Sequence, residues 1–110
     1  MTKRVFLEIE QSRGRPDGLK TDAQGNLYVC HWAGQCMSVY SPEGECIDRI
    51  ALPATHVTRA TFCGADYSTI AVTSGSYQCD ADSLTCFPDS GFVFSLSSSR
   101  EGLPEYKYNL

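Results

Sequence analysis

The chain has 110 residues, 42% hydrophobic and 20% charged, with a formal net charge of -4. That length suits one domain, the composition excludes a disordered chain, and the acidic balance with scattered Lys and Arg excludes a nucleic-acid or anionic-membrane footprint. No apolar run approaches the roughly 20 residues of a membrane span, and the opening Met1-Thr2-Lys3-Arg4-Val5-Phe6 does not read as a signal peptide, so the cytoplasm is the expected compartment.

The predicted elements are strands. Residues 5–9 alternate and are β-rich, and 18–21 form a second short strand. Asp22-Ala23-Gln24-Gly25-Asn26 is a turn, because Asp supplies local hydrogen bonding and Gly a positive φ. A strand over 27–32 breaks at Ala33-Gly34, a strand covers 37–40, and Ser41-Pro42-Glu43-Gly44 is the next turn. Residues 46–52 set Ile47, Arg49 and Ala51 against Asp48, Ile50 and Leu52, the alternation of an antiparallel meander. No segment keeps a period of 3.6 for long, so little helix is expected.

The pattern then recurs, with strands at 57–63 and 68–73 around the turn Gly64-Ala65-Asp66-Tyr67. Leu27-Tyr28-Val29 aligns with Ile70-Ala71-Val72, 43 residues on, and Val39-Tyr40-Ser41 aligns with Phe94-Ser95-Leu96 after an insertion in the loop 75–90. A period of about 40–45 residues with four short strands per unit is the signature of a propeller blade. Four blades of about 45 residues need roughly 180, so this chain holds about two. The expected fold is all-β, a partial β-propeller. It divides into an outer strand of a preceding blade with its linker (1–15), a first blade (16–53), and a second blade with a long loop at 75–90 and a closing strand (54–110). The faces that would meet further blades are expected to be apolar. The chain would then need blades from a longer chain, or copies of itself, to cover them.

Six cysteines stand at 30, 36, 46, 63, 79 and 86. Four lie in strand-like runs, where Cys acts as a small buried hydrophobe, and no Cys-x-x-Cys pair suggests zinc or thioredoxin-type chemistry. Free structural thiols are the first reading. Cys79 and Cys86, in one polar loop, are the best candidates for a disulfide.

The run from Arg15-Pro16-Asp17-Gly18-Leu19 onward resembles the senescence marker protein, gluconolactonase and luciferin-regenerating enzyme family, the regucalcin-like proteins. Pro16-Asp17-Gly18 is followed by Asp22, Gly25, Leu27, Tyr28 and Val29 at the family's spacing. His31-Trp32-Ala33-Gly34 resembles its aromatic-and-glycine corner. Leu52-Pro53 with Val57-Thr58-Arg59-Ala60-Thr61-Phe62, then Gly64, Tyr67, Ile70, Val72 and Thr73, then Gly91-Phe92-Val93-Phe94, follow in the family's order.

The resemblance implies a six-bladed propeller that opens sugar lactones, with metal-activated water and a divalent cation at one end of the channel. Calcium or zinc come first among the candidate ions, then magnesium or manganese. Asp17 carries over as metal ligand and general base, since a hard cation takes carboxylate oxygen and a carboxylate can accept water's proton. The further ligands it implies, a glutamate and an asparagine, belong to blades with no counterpart in this chain. Strand reversal brings the start of the first strand and the end of the second to one rim. Asp17, His31, Trp32, Thr58-Arg59 and Ser74-Gly75-Ser76-Tyr77 should therefore share a channel mouth. His31 is either a substrate-orienting group or a rim histidine bonded to backbone. Trp32 is an inter-blade packing residue or a sugar-pocket wall. Arg59 is a solvated or structural cation or the partner of a substrate carboxylate. Tyr77 and the loop 75–90 would cover the pocket, and His56 reads as a surface loop residue. The alternative to a lactone hydrolase is a non-catalytic partial propeller, acting as a self-assembling or binding module.

Overall fold

A computed structural model describes residues 2–108, so the outermost ends of the expected segments 1–15 and 54–110 lie outside the described residues. The strands β1 (Arg15–Thr21), β2 (Leu27–Trp32), β3 (Cys36–Tyr40) and β4 (Cys46–Ala51) form one antiparallel sheet in that order. The strands β5 (His56–Cys63), β6 (Thr69–Gly75) and β7 (Val93–Ser97) form a second. A six-residue α-helix, α1 (Ala81–Cys86), sits in the loop before β7, and one 3-10 turn covers Gln11–Arg13. No helix among the described residues is long and apolar enough to cross a membrane.

The β1–β2 turn is set by Asp22, which is 3% exposed. Its Oδ1 accepts the backbone N–H groups of Gln24 at 2.9 Å and Asn26 at 3.0 Å, while Oδ2 accepts from Asn26 Nδ2 at 2.9 Å and Tyr28 Oη at 3.2 Å. One carboxylate therefore closes the turn and anchors a core tyrosine. Tyr28, Cys30, Met37 and Val39 of the first sheet pack against Val57, Ala60, Phe62, Ile70 and Val72 of the second. Tyr28 meets Phe62 edge to face, at 5.2 Å and 86°, the geometry the ring quadrupoles favour.

The repeat read from sequence holds at β2 and β6. Leu27 and Val29 turn away from the second sheet, into a cleft shared with Phe6, Leu7 and Ile9. Ile70 and Val72 turn back onto the first sheet, so the same face of each unit looks toward the chain that precedes it. The third strands align one residue away from expectation. Tyr28 pairs with Val39 and Ala71 with Ser95, so Val39 corresponds to Ser95, not Phe94. A slip of one residue reverses the face of every side chain in a strand, and Phe94 accordingly packs on the core.

One further expectation is corrected. Residues 5–9 join no ladder among the described residues, and Phe6, Leu7 and Ile9 line an apolar cleft of about 230 Å³ over Pro16, Leu19, Leu27 and Val29. The open face of the second sheet is not apolar. Thr69, Ala71 and Thr73 stand there beside Ser97, Ser95 and Val93. The Thr58 and Thr73 hydroxyls also bond each other at 2.7 Å.

The tail after β7 crosses the end of both sheets. The Ala23 N–H donates to the Glu101 carbonyl and the Gly102 N–H to the Tyr67 carbonyl, each at 2.9 Å. Gly102 lies directly on the Phe62 ring, where no Cβ fits. The accessible surface is 7524 Å², against about 6,000 Å² for a closed monomer of this mass, and the extended segments 2–10 and 103–108 contribute to the excess along with the uncovered sheet face.

Asp22→Ala strips four donors of a buried acceptor and should lower folding stability by about 2–4 kcal/mol, read from the urea midpoint. Asp22→Asn should cost less, since it keeps acceptor capacity; equal midpoints for Ala and wild type would show that the turn forms without the carboxylate.

Candidate active site

The start of β1 carries a bulge. Pro16 pairs with His31 and Leu19 with Val29, so Asp17 and Gly18 together oppose Cys30. The start of β5 carries another, with Val57 opposite Ser74 and Arg59 opposite Thr73, leaving Thr58 extra. Bulges re-aim side chains and sharpen the local twist. The two bulges touch: a Cβ on Gly18 would lie 2.5 Å from the Thr58 carbonyl oxygen and 2.8 Å from Arg59 Cα. Only glycine permits that approach, and it brings Asp17 and Arg59 to the same mouth.

Asp17 and Arg59 are both exposed. They flank the buried Cys30 thiol, whose pKa is pushed up to about 12, first by burial and then by the Asp17 carboxylate, with Arg59 pulling the other way. Cys30 is thus a protonated, inert thiol beneath the mouth. Asp17 takes part in neither ion pair of the described residues, which join Lys20 to Glu105 and Arg100 to Asp48. Its carboxylate is left for solvent or ligand.

His31 does not stand at the mouth. Alternation along β2 turns it to the face opposite Cys30, where it is 0% exposed. Its Nδ1–H donates to the Arg13 carbonyl at 2.9 Å, Nε2 has no partner, and the Gly34 backbone closes over its Cβ. Of its two readings, the backbone-bonded one describes it and the substrate-orienting one is withdrawn. Burial pushes its pKa below the usual histidine range, the nearby Arg49 and Arg13 charges add to this, and the bond to the Arg13 carbonyl opposes it.

His56 is also corrected. It is the first residue of β5, 5% exposed rather than a surface loop residue. Its ring stacks on the half-buried Trp32 indole at 3.8 Å and 7°. Nothing local in sequence announces this contact, since the partners lie on different sheets. Tyr77 presents an exposed side chain, while its carbonyl accepts from His56 Nε2–H at 2.8 Å. The loop is docked: Asp80 caps α1 by accepting the Ser83 N–H at 2.8 Å, and the buried Ser90 hydroxyl accepts the Thr55 N–H at 3.3 Å. Gly75 lies between the groups, its Cβ position 3.8 Å from Thr58 and 3.9 Å from Trp32. Gly75 therefore lies between Thr58, whose backbone meets Gly18 beside Asp17, and the stack of Trp32 on His56.

All six cysteines are free, Cys79 and Cys86 included. Among the described residues, no three His, Cys, Asp or Glu side chains converge in a way that could hold a metal ion. Asp17 suits a hard cation as one oxygen donor, but residues 2–108 do not by themselves form a site for one.

His31 makes stability depend on pH. Its depressed folded pKa means the unfolded chain binds the proton better. The stabilisation is therefore full above the ordinary value of about 6.5 and is lost as pH falls through the folded value. Denaturation midpoints should drop as pH falls below about 6.5, and His31→Gln should flatten that drop; identical profiles would exclude His31 as its source.

Residues 1–76 match the SMP-30/Gluconolactonase/LRE-like region. Regucalcin of Danio rerio is 32% identical over 108 residues, covering 96% of this chain and 37% of the relative. The 6-deoxy-6-sulfogluconolactonase of Pseudomonas putida is 35% identical over 105 residues, covering 94% and 36%. The crystal structure of a calcium-binding protein, regucalcin, from Agrobacterium tumefaciens superimposes with a TM-score of 0.90 at 31% identity, over 97% of this chain and 36% of that one. The chain spans little more than a third of the length of these relatives, and its two sheets have the fold of a partial β-propeller. With well over half of its length matched to the family's region, the chain belongs to the SMP-30/gluconolactonase/LRE-like family.

Proposed function

We propose that this chain carries one side of the active site of a lactone hydrolase. The observation that carries the reading is Asp17: an exposed carboxylate on a bulge, outside both ion pairs, with Arg59 beside it. Asp17 accepts the proton of the water that attacks the lactone carbonyl. The acyl C–O bond then breaks, and the ring oxygen leaves as an alcohol once it regains a proton. Arg59 faces the oxygen that gains negative charge, and Trp32 and Tyr77 wall the sugar. Asp17 also offers one oxygen to a divalent cation, calcium or zinc before magnesium or manganese, whose other donors come from residues outside 2–108. The small-molecule substrate is a sugar lactone, in keeping with the lactonases among the relatives. Segments 16–53 and 54–110 act as successive blades, with 1–15 linking from a preceding one. The six free thiols suit a reducing compartment such as the cytoplasm.

A second reading is a non-catalytic, self-assembling or binding module. The sheet face and edges left without a partner blade, and the lone carboxylate, favour it.

The test places this chain in a full-length relative in place of the corresponding third. Asp17→Asn should then lower lactone hydrolysis by at least about 10²–10⁴-fold, the usual loss for a general base, with circular dichroism unchanged. Near-normal turnover by that variant would remove the hydrolase reading. The 110-residue chain alone should show no lactonase activity and should scatter light as a species heavier than 12.1 kDa. A cooperatively folding 12.1 kDa monomer would overturn the assembly reading.

A further inference from the structure

The His56 ring joins three backbone segments: β5, which carries it, the β2–β3 corner and the loop before α1. Its Nδ1 lies 3.0 Å from the Ala33 N–H, a donor, so Nδ1 is the bare nitrogen. Its Nε2 therefore carries the hydrogen and donates to the Tyr77 carbonyl at 2.8 Å. The ring face is filled by Trp32 at 3.8 Å. One imidazole in one tautomer thus satisfies a donor on the β2–β3 corner and an acceptor on the loop before α1, and fixes the indole between them.

The corner needs this anchor. Ala33 and Gln35 both hold positive φ, 63° and 61°, without being glycine. Such conformations persist only where the surroundings hold them. Backbone bonds supply part of that hold: Gly34 N–H to the His31 carbonyl at 3.2 Å, Gln35 N–H to the Thr55 carbonyl at 3.2 Å, and Leu52 N–H to the Gln35 carbonyl at 3.0 Å. The Ala33 N–H depends on His56. On the other side, Tyr77 is followed by Gln78 at φ 58°, a second strained point directly after the bonded carbonyl.

We propose that His56 is the positioning residue of this mouth: it sets the Trp32 indole and the start of the Tyr77 loop relative to Asp17, and so controls which substrates fit. It touches no reacting atom. Its effect falls on substrate binding, because Asp17 is placed by the β1 bulge and not by His56. The substrate part rests on the lactone-hydrolase reading; the geometric part does not.

Two variants separate the two bonds. In His56→Asn, the side-chain oxygen stands near the Nδ1 position and still accepts from Ala33, but the side chain is too short to reach Tyr77. In His56→Gln, the amide N–H reaches toward the Tyr77 carbonyl, but the Ala33 donor is left bare. Amide hydrogen exchange on the 110-residue chain reads both segments. His56→Asn should speed exchange in 77–90 by about fivefold, the effect of one hydrogen bond, and leave 33–35 protected. His56→Gln should do the reverse. Acrylamide quenching of Trp32, the only tryptophan, should rise in both. Uniform loss of protection in both variants, or no loss in either, would overturn the proposal.

In the full-length chimera, both variants should raise KM more than they lower kcat, and the converse would overturn the substrate part. If the unmodified chimera hydrolyses no lactone, the hydrolase reading falls while the exchange result still decides the geometry.

Discussion

The two sheets meet where Gly18 lies against the backbone of Thr58 and Arg59, and the mouth depends on that approach. Any side chain at position 18 would strike a carbonyl oxygen at 2.5 Å, and backbone moves less readily than a side-chain end. The contact fixes the spacing of the two innermost strands. It sets the two bulges against each other, and with them Asp17 and Arg59. It also leaves room beneath for Cys30, whose burial keeps its thiol protonated. A reactive thiol beside a carboxylate would compete for any electrophile entering the mouth, and burial removes that competitor.

The opposite end of the sheets is held by different chemistry. Asp22 saturates one turn with four hydrogen bonds, two of them to side chains, and the tail 101–102 spans from that turn to the Tyr67 turn. Backbone–backbone and charge-assisted bonds make this end rigid. The other end is held by a stacked imidazole and a docked loop, and non-glycine residues at positive φ occur at both ends, Ala33, Gln35 and Gln78 at this one and Tyr67 at the other.

The two buried histidines lie at the same end of the sheets in different environments. His31 is enclosed with Nε2 lacking a partner, so its environment disfavours charge. His56 uses both ring nitrogens and one ring face. The first tolerates its surroundings, while the second organises them.

Strand positions, turn chemistry, the repeat, the low helix content and the family were legible in the residues, because period-2 alternation, Asx-Gly turns and motif order are local properties of a chain. Pro16-Asp17-Gly18 and its place at a strand start were legible for the same reason. Sequence misjudged what depends on three dimensions. His31 sits in the same strand as Trp32, yet adjacent residues face opposite sides, and only packing shows which side is the mouth. His56 lies 24 positions from the indole it stacks on, and no local pattern links them. The residues alone determined the all-β meander and the carboxylate at its turn. Tertiary structure decided where that carboxylate stands, because the bulges, the Gly18 contact and the Trp32–His56 stack arise only when one sheet closes on the other.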